Sequence, residues 1–323
     1  MNQLPLYEKI GYATGDAAAN LVWRGALAYL AVFYTDTFGI TASAAALLFL
    51  VVRLSDGITD IVMGMIADRT HTRWGKFRPW ILFSTPFLAL MMVLCFPTPD
   101  LNDNGKLIYA YATYIGLTLA YTMNNVPYSA LMGVMTTSHS QRTSLSGFRF
   151  AGAFAGGLLV MGFLPDLVAY FGQGDDARGY QTTMYVFAGL LIALMIITFV
   201  STTERVSVKR ESNQPLSSEL SDLAKSLPFI ILPLLAITLF FYYRDLSSGI
   251  FFLIVMALMA FIIKKLLNSD ISQLSTSQRD IVDLLTNKPW LVLLGIGFLT
   301  MMFNGIKYGV IAYYFKYIVG SEL

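Results

Sequence analysis

Long apolar runs separated by short polar stretches organise this chain. Runs near the ~20 residues that a helix needs to cross a bilayer fall at residues 12–38, 43–67, 79–96, 107–135, 144–171, 180–201, 227–243, 248–267 and 290–319. The pattern predicts nine transmembrane helices and no strands. Two longer polar stretches, 202–226 and 268–288, read as linkers. They divide the chain into a six-helix bundle (1–201), a linker (202–226), a helical hairpin (227–267), a second linker (268–288) and a final span (289–323).

The run SAAALLFLVVRLSDGITDIVMGMIA (43–67) breaks the apolar pattern, because Arg53, Asp56 and Asp60 lie in its middle. Each such charge costs about 2.5–3.5 kcal/mol near the centre of a membrane helix. At spacings i, i+3 and i+7 the three share one helical face. That face must look into a protein interior or a water-filled cavity, and acids so placed are transport-site candidates.

Composition fits the same reading. The chain has 323 residues, 56% hydrophobic and 13% charged, with a mean hydropathy of +0.61. Soluble domains carry about 25% charged residues. Cys95 is the one cysteine, so no intrachain disulfide forms. His71 and His139 belong to no metal-ligand cluster, and no G-x-x-x-x-G-K-[ST] motif occurs. Transport would therefore be ion-driven, with no cofactor and no nucleic-acid partner. The N-terminal MNQLPLYEKI lacks a basic n-region and a small-residue cleavage site, so the first span is expected to insert and stay.

Lys and Arg are distributed unevenly between alternate loops. Arg69, Arg73, Lys76, Arg78, Arg142, Arg205, Lys209, Arg210, Lys225, Lys264, Lys265, Arg279 and Lys288 fall on one side, whereas Lys106, Arg178 and Arg244 fall on the other. The positive-inside rule makes the basic side cytoplasmic. The N-terminus is then inside and residue 323 outside the cytoplasmic membrane. Six spans followed by a cytoplasmic linker is the layout of half a major-facilitator transporter. AVFYTDTFG (31–39) and AYYFKYIVG (312–320) match as the ends of equivalent helices, as parallel repeats require. The last span then opens a second bundle that this chain does not complete. The expectation is that the chain as given does not transport on its own.

Longer motifs carry a family likeness: GYATGDAAANLVW (11–23), YTDTFGIT (34–41), RLSDGITDIVMGMIADRTHTRWGKFRPW (53–80), NNVPYSALM (124–132) and FRFAGAFAGG (148–157). With them the chain resembles the glycoside–pentoside–hexuronide:cation symporters, the melibiose permease-like group of the major facilitator superfamily. NKPWLVLL (287–294) and YYFKYIVG (313–320) resemble the start of that family's second half. On this reading the likeness covers spans one to six and nine, and leaves out the hairpin at 227–267. It implies symport of a sugar or glycoside with Na⁺ or H⁺.

The resemblance also implies site roles. Asp56 and Asp60 hold the coupling cation, with Thr122 a possible added oxygen. Asn20 and Asn125 stand at positions that are often acidic in the family, and Arg149 is a substrate residue. Trp23 and Tyr121 are aromatic candidates for stacking on a sugar ring. Asp16 and Arg53 are candidates for gating or ion pairing, as are Asp68, Arg69 and Arg73 of the loop between spans two and three. Lys307 is a further charge inside the last span. Replacement of acids by amides at positions 20 and 125 lowers the cavity's negative charge, which points to a neutral glycoside or anionic uronide. Two rival readings exist. An aspartyl protease built on Asp16 and Asp56 leaves Arg53 and Arg149 unexplained. A lysolipid or other-solute symporter needs a wider, more apolar cavity.

Overall fold

The structure is a computed structural model that describes residues 3–25, 29–206, 215–243, 245–270 and 276–314. Among the described residues the chain is helical, with no strand longer than a single Thr72–Gly75 bridge. The helices are α1 (Leu6–Gly25), α2 (Ala42–Asp68), α3 (Arg78–Leu94), α4 (Asp103–Met135), α5 (His139–Gly172), α6 (Asp176–Ser201), α7 (Leu216–Tyr243), α8 (Leu246–Leu267), α9 (Thr276–Thr286) and α10 (Lys288–Tyr314). A π-wound turn, Phe33–Thr37, precedes α2. The chain divides into two compact units, 1–216 and 217–323.

Within the first unit, α1, α5 and α6 pack on one another, α3 lies against α4 and α6, and α2 leans on α4. The tightest seam joins α1 and α5. Gly152 and Gly156 bring the α5 backbone onto the carbonyls of Ala13 and Ala17, and a β-carbon at either glycine would run into α1. One-turn spacing of small residues permits this approach, which in a bilayer stands in for the hydrophobic drive that lipid removes. α1 meets α4 differently, through ring stacking. Tyr12 and Tyr128 stack at 4.7 Å between centroids. The Tyr128 hydroxyl donates to the Tyr12 carbonyl at 2.7 Å, and the Tyr12 hydroxyl donates to the Tyr128 carbonyl at 3.3 Å. Both tyrosines are fully buried, so each hydroxyl needs a protein acceptor and finds one.

The strand of coil after α6 ties helix ends together. Arg205 and Val206 donate backbone N–H bonds to the Val134 carbonyl at 2.8 and 2.9 Å. The Glu204 carboxylate accepts the N–H groups of Lys76, Phe77 and Arg78 at 2.8, 2.8 and 3.0 Å. These are unsatisfied donors at the start of α3, where a negative charge also suits the helix dipole.

By length and composition α5, α6 and α8 suffice to cross a membrane, and the apolar parts of α3 and α10, Arg78–Leu94 and Lys288–Thr300, are shorter. α1, α2 and α4 are long but are interrupted by polar residues, among them Asp16, Arg53, Asp56, Asp60, Asn124 and Asn125. The residues that make these helices interesting are the ones that lower their hydropathy.

The second unit contains α8, α9 and α10, with α9 against both neighbours, and all of α7 but its first residue. Asp245 caps α8, accepting from the Ser248 N–H at 2.8 Å and the Ser247 hydroxyl at 2.7 Å. Those donors hold its carboxyl down to about 2. Both polar stretches read as linkers turn out to contain helix. α7 starts at Leu216, where Leu216, Leu220 and Leu223 recur at helical spacing and Glu219 sits in the first turn. α9 forms within 268–288, with its apolar residues gathered at 281–285. The repeat motif at 312–320 falls largely outside the described residues, as does the Lys307 side chain.

Filling the α1–α5 seam tests this packing. Gly156→Val is expected to lower stability by about 1–3 kcal/mol or more by overpacking. Gly162→Ala, where a β-carbon meets open space, is expected to leave it unchanged or slightly raised. Thermal unfolding in detergent, followed by size exclusion, reads both.

Candidate functional site

The polar residues of α1, α2, α4 and α5 form two adjoining groups. The first is centred on α2. Asp56 and Asp60 are one turn apart on the same helical face, which puts their β-carbons about 5–6 Å apart. Arg53, Gly57 and Asp60 of this face are exposed within the unit, and Asp56 is half-buried. The Thr122 hydroxyl of α4 donates to Asp60 Oδ1 at 2.8 Å. Arg53 Nη1 meets Asp56 Oδ2 at 3.4 Å, a loose pair one turn back along the helix. The guanidinium also lies over the Trp23 ring at 4.3 Å. Trp23 in turn stacks on Tyr121 at 5.2 Å. Arg53, Trp23 and Tyr121 thus make a three-layer stack drawn from α2, α1 and α4. The niche beside it holds about 10 Å³, room for about one water.

The second group is centred on Arg149 of α5. Its Nε donates to Asp16 Oδ2 at 2.8 Å and its Nη2 to the Ser129 hydroxyl at 3.1 Å. Its guanidinium lies 5.3 Å from the Tyr128 ring. Asp16 is 8% exposed, so its charge is offset here by a short ion pair. Asn20 donates its amide to the Asp16 carbonyl at 2.9 Å. Asn125 is half-buried, and its Oδ1 has no hydrogen-bond partner. Tyr121, Asn125, Tyr128 and Ser129 share a face of α4 by their spacing, and that face links the two groups.

Asp68, Arg69 and Arg73 are not part of this assembly. Asp68 is eight residues beyond Asp60, about 12 Å along the helix. It pairs with Lys76 at 2.7 Å. Arg69 donates to the Met65 carbonyl at 2.8 Å, and Arg73 lies over Trp74 at 4.5 Å. A cleft of about 550 Å³ opens at this end, lined by Arg73, Lys76, Glu204 and Arg205 among others. It is far larger than the niche beside Trp23 and Arg53, but most of its charges already have partners.

Some residues that organise the first unit escape a reading of the sequence. Glu8 is fully buried. It accepts both Arg205 guanidinium nitrogens at 2.7 and 2.8 Å and the Thr203 N–H at 3.0 Å, and the bidentate bond raises the Arg205 guanidinium above its ordinary value. Arg142 donates to the carbonyls of Thr136 and Gly133 at 2.9 and 3.0 Å and closes the α4–α5 turn. Such partners lie far apart in the chain, so spacing does not reveal them. The adjacent opposite charges of Glu204 and Arg205 are the only local hint.

Comparison with known proteins gives this arrangement a family. The profile described as MFS/sugar transport protein matches residues 11–268. The inner membrane symporter YicJ of Escherichia coli (strain K12) is 45% identical over 203 residues, which is 63% of this chain and 44% of the relative. YagG of the same organism, provisionally named a glycoside/cation symporter, is 44% identical over 223 residues, 69% of this chain and 48% of the relative. The isoprimeverose transporter of Lactiplantibacillus pentosus is 37% identical over 235 residues, 71% of this chain and 49% of the relative. The chain belongs to the MFS sugar-transport family, among its glycoside–pentoside–hexuronide:cation symporters, and is an integral membrane protein. It spans about half the length of the curated relatives it matches. The profile match runs through the hairpin at 227–267 and stops before α10. The sequence-based reading placed the likeness in spans one to six and nine and left out the hairpin, which the profile match includes. α7 and α8 are strongly apolar and carry no motif, so the eye finds nothing there to compare.

Removing the Glu8 anchor measures what the coil after α6 contributes. Each charge-assisted hydrogen bond is worth about 1.5–3 kcal/mol. Glu8→Ala is therefore expected to lower the unfolding midpoint in detergent well below that of Lys9→Ala, which removes a single 3.0 Å bond to Ser144.

Proposed function

We propose that the first unit is the cation-binding and sugar-binding half of a symporter that moves a sugar or glycoside with Na⁺ across the cytoplasmic membrane by alternating access. In that mechanism two bundles rock about a central site, and α1–α6 form one wall of it. The expected topology of nine spans, with the N-terminus cytoplasmic and residue 323 outside, belongs to this reading. So do the domain limits taken from the sequence, with helix added at 216–226 and 276–286.

One observation carries the proposal. Asp56 and Asp60 stand on the open face of α2, and Thr122 is bonded to Asp60. Carboxylate and hydroxyl oxygens suit a hard cation. A bound Na⁺ would offset the charge of two neighbouring acids, which otherwise oppose each other in a low-dielectric site. Asp56, Asp60 and Thr122 are therefore assigned to the cation. Arg149, Asn20 and Asn125 are assigned to sugar hydroxyls. The guanidinium fork of Arg149 and the unpartnered Oδ1 of Asn125 offer complementary donor and acceptor groups. Asp16 holds Arg149 in place. Trp23 and Tyr121 present rings to the apolar face of a pyranose or pentose. Asp68, Arg69 and Arg73 belong to the cytoplasmic gate. The name of YagG supports a glycoside and a cation as cargo, and that of the isoprimeverose transporter supports a sugar.

Uptake of radiolabelled glycosides into cells by the first unit joined to the second bundle of a relative such as YagG, with Na⁺ and pH varied separately, tests the assignment. Asp56→Asn and Asp60→Asn are expected to abolish Na⁺-stimulated uptake. Thr122→Val is expected to raise the Na⁺ concentration for half-stimulation about tenfold, the equivalent of about 1.4 kcal/mol. Uptake driven by protons and indifferent to Na⁺ would overturn the choice of ion. Equal uptake in both Asn variants would overturn the site.

A further inference from the structure

Arg53 is anchored in an unusual way for a charge on a membrane helix. Its nearest anion is Asp56, one of the two acids assigned to the cation, at 3.4 Å. Its other partner is the Trp23 face at 4.3 Å. Its side chain is 39% exposed, so part of the guanidinium is uncovered within the unit. Trp23 is covered on one side by this guanidinium and stacked with Tyr121 at 5.2 Å. The niche lined by Trp23, Arg53, Tyr114 and Tyr121 has a volume of about 10 Å³, far below that of a sugar ring.

The three contacts are linked by charge. A cation on Asp56 competes directly with Arg53 for the same carboxylate, and it repels the guanidinium at short range. Once that pairing is gone, the cation–π contact is what holds Arg53 in place. Such a contact is worth only about 0.5–1 kcal/mol at an exposed site. The side chain has open space to retreat into, since the α2 face that bears it is uncovered within the unit.

We infer that Arg53 is a side-chain lid on Trp23, latched by Asp56 and released when a cation takes that carboxylate. The inference rests on the cation-symport reading and assigns to its site a positioning residue, Arg53, and a sugar platform, Trp23. With the acids empty, the guanidinium lies on the indole and fills the place of a sugar. With Na⁺ on Asp56 and Asp60, Arg53 swings toward water. The indole face is then free for the C–H face of a pyranose or pentose ring. A ligand shifts such an equilibrium only by its differential affinity for the two states. Here that difference is the competition at one carboxylate.

The lid predicts that Na⁺ changes the accessibility of a single tryptophan. The purified 323-residue chain in detergent is quenched with acrylamide, in NaCl or in choline chloride of equal ionic strength. The Trp23 contribution is the difference between wild type and Trp23→Phe, which removes the signals of Trp74, Trp80 and Trp290. Na⁺ binding is measured in parallel by calorimetry. The expected result is a saturable rise in Trp23 quenching with Na⁺ that follows the calorimetric isotherm. Arg53→Gln should give high quenching without Na⁺ and lose the Na⁺ response, while still binding Na⁺. Heat of Na⁺ binding with unchanged Trp23 quenching, or a Na⁺ response that persists in Arg53→Gln, would overturn the lid and leave the cation site standing. Absence of both the heat and the quenching response would overturn the cation site and the lid together.

Discussion

A charge inside a bilayer must find its counter-charge within the protein, and the first unit is arranged by that requirement. Asp16 on α1 and Arg149 on α5 neutralise each other across the tightest helix seam. Asp56 has only Arg53, from its own helix and at a loose distance. Asp60 has a hydroxyl and no close cation among the described ion pairs. Among the described residues the candidate site therefore holds one settled ion pair, Asp16–Arg149, and one acid pair whose charge is incompletely met. That second arrangement, in a low-dielectric setting, is what the proposed cation site rests on.

The two ends of the bundle solve the same problem with different chemistry. At the site end, side chains from four helices meet across space. At the loop end, the coil after α6 brings Glu204 to the start of α3 and Arg205 to the buried Glu8. Here the carboxylates satisfy backbone and guanidinium donors so completely that little charge is left to recruit a ligand. A large cleft at that end and a small niche at the other make the point that volume alone does not locate function. The acid pair with unmet charge, Asp56 and Asp60, lines neither of them.

Much of this was legible in the sequence. Arg53, Asp56 and Asp60 interrupt an apolar run along one face that must turn away from lipid, and the likeness of RLSDGITD and RWGKFRPW points to the family. The likeness offered Thr122 as a possible added oxygen for a cation at Asp56 and Asp60; in the structure its hydroxyl donates to Asp60 at 2.8 Å. What stayed hidden depends on three dimensions. Nothing in the spacing of Glu8 and Arg205 says that they touch. Nothing in an aromatic at position 23 says that it lies under one cation and over Tyr121. The polar stretches at 202–226 and 268–288 hid helices because their turns are amphipathic and short, with too few apolar residues to stand out against the long spans around them.

The glycine seam has one more consequence. With Gly152 and Gly156 seated on the carbonyls of Ala13 and Ala17, and Arg149 bonded to Asp16 just beyond, α1 and α5 have no freedom to slide or roll past each other. Asn20 and Arg149 are thus fixed like two jaws of a clamp cast in one piece. On the proposed function, such a clamp discriminates between cargoes by span, because hydroxyls meet a spacing already set by the α1–α5 seam. The adjustable part of the site is left to α2, which leans on α4 alone among its helical neighbours of comparable contact. On the proposed function, selectivity for the sugar and response to the ion fall to different helices.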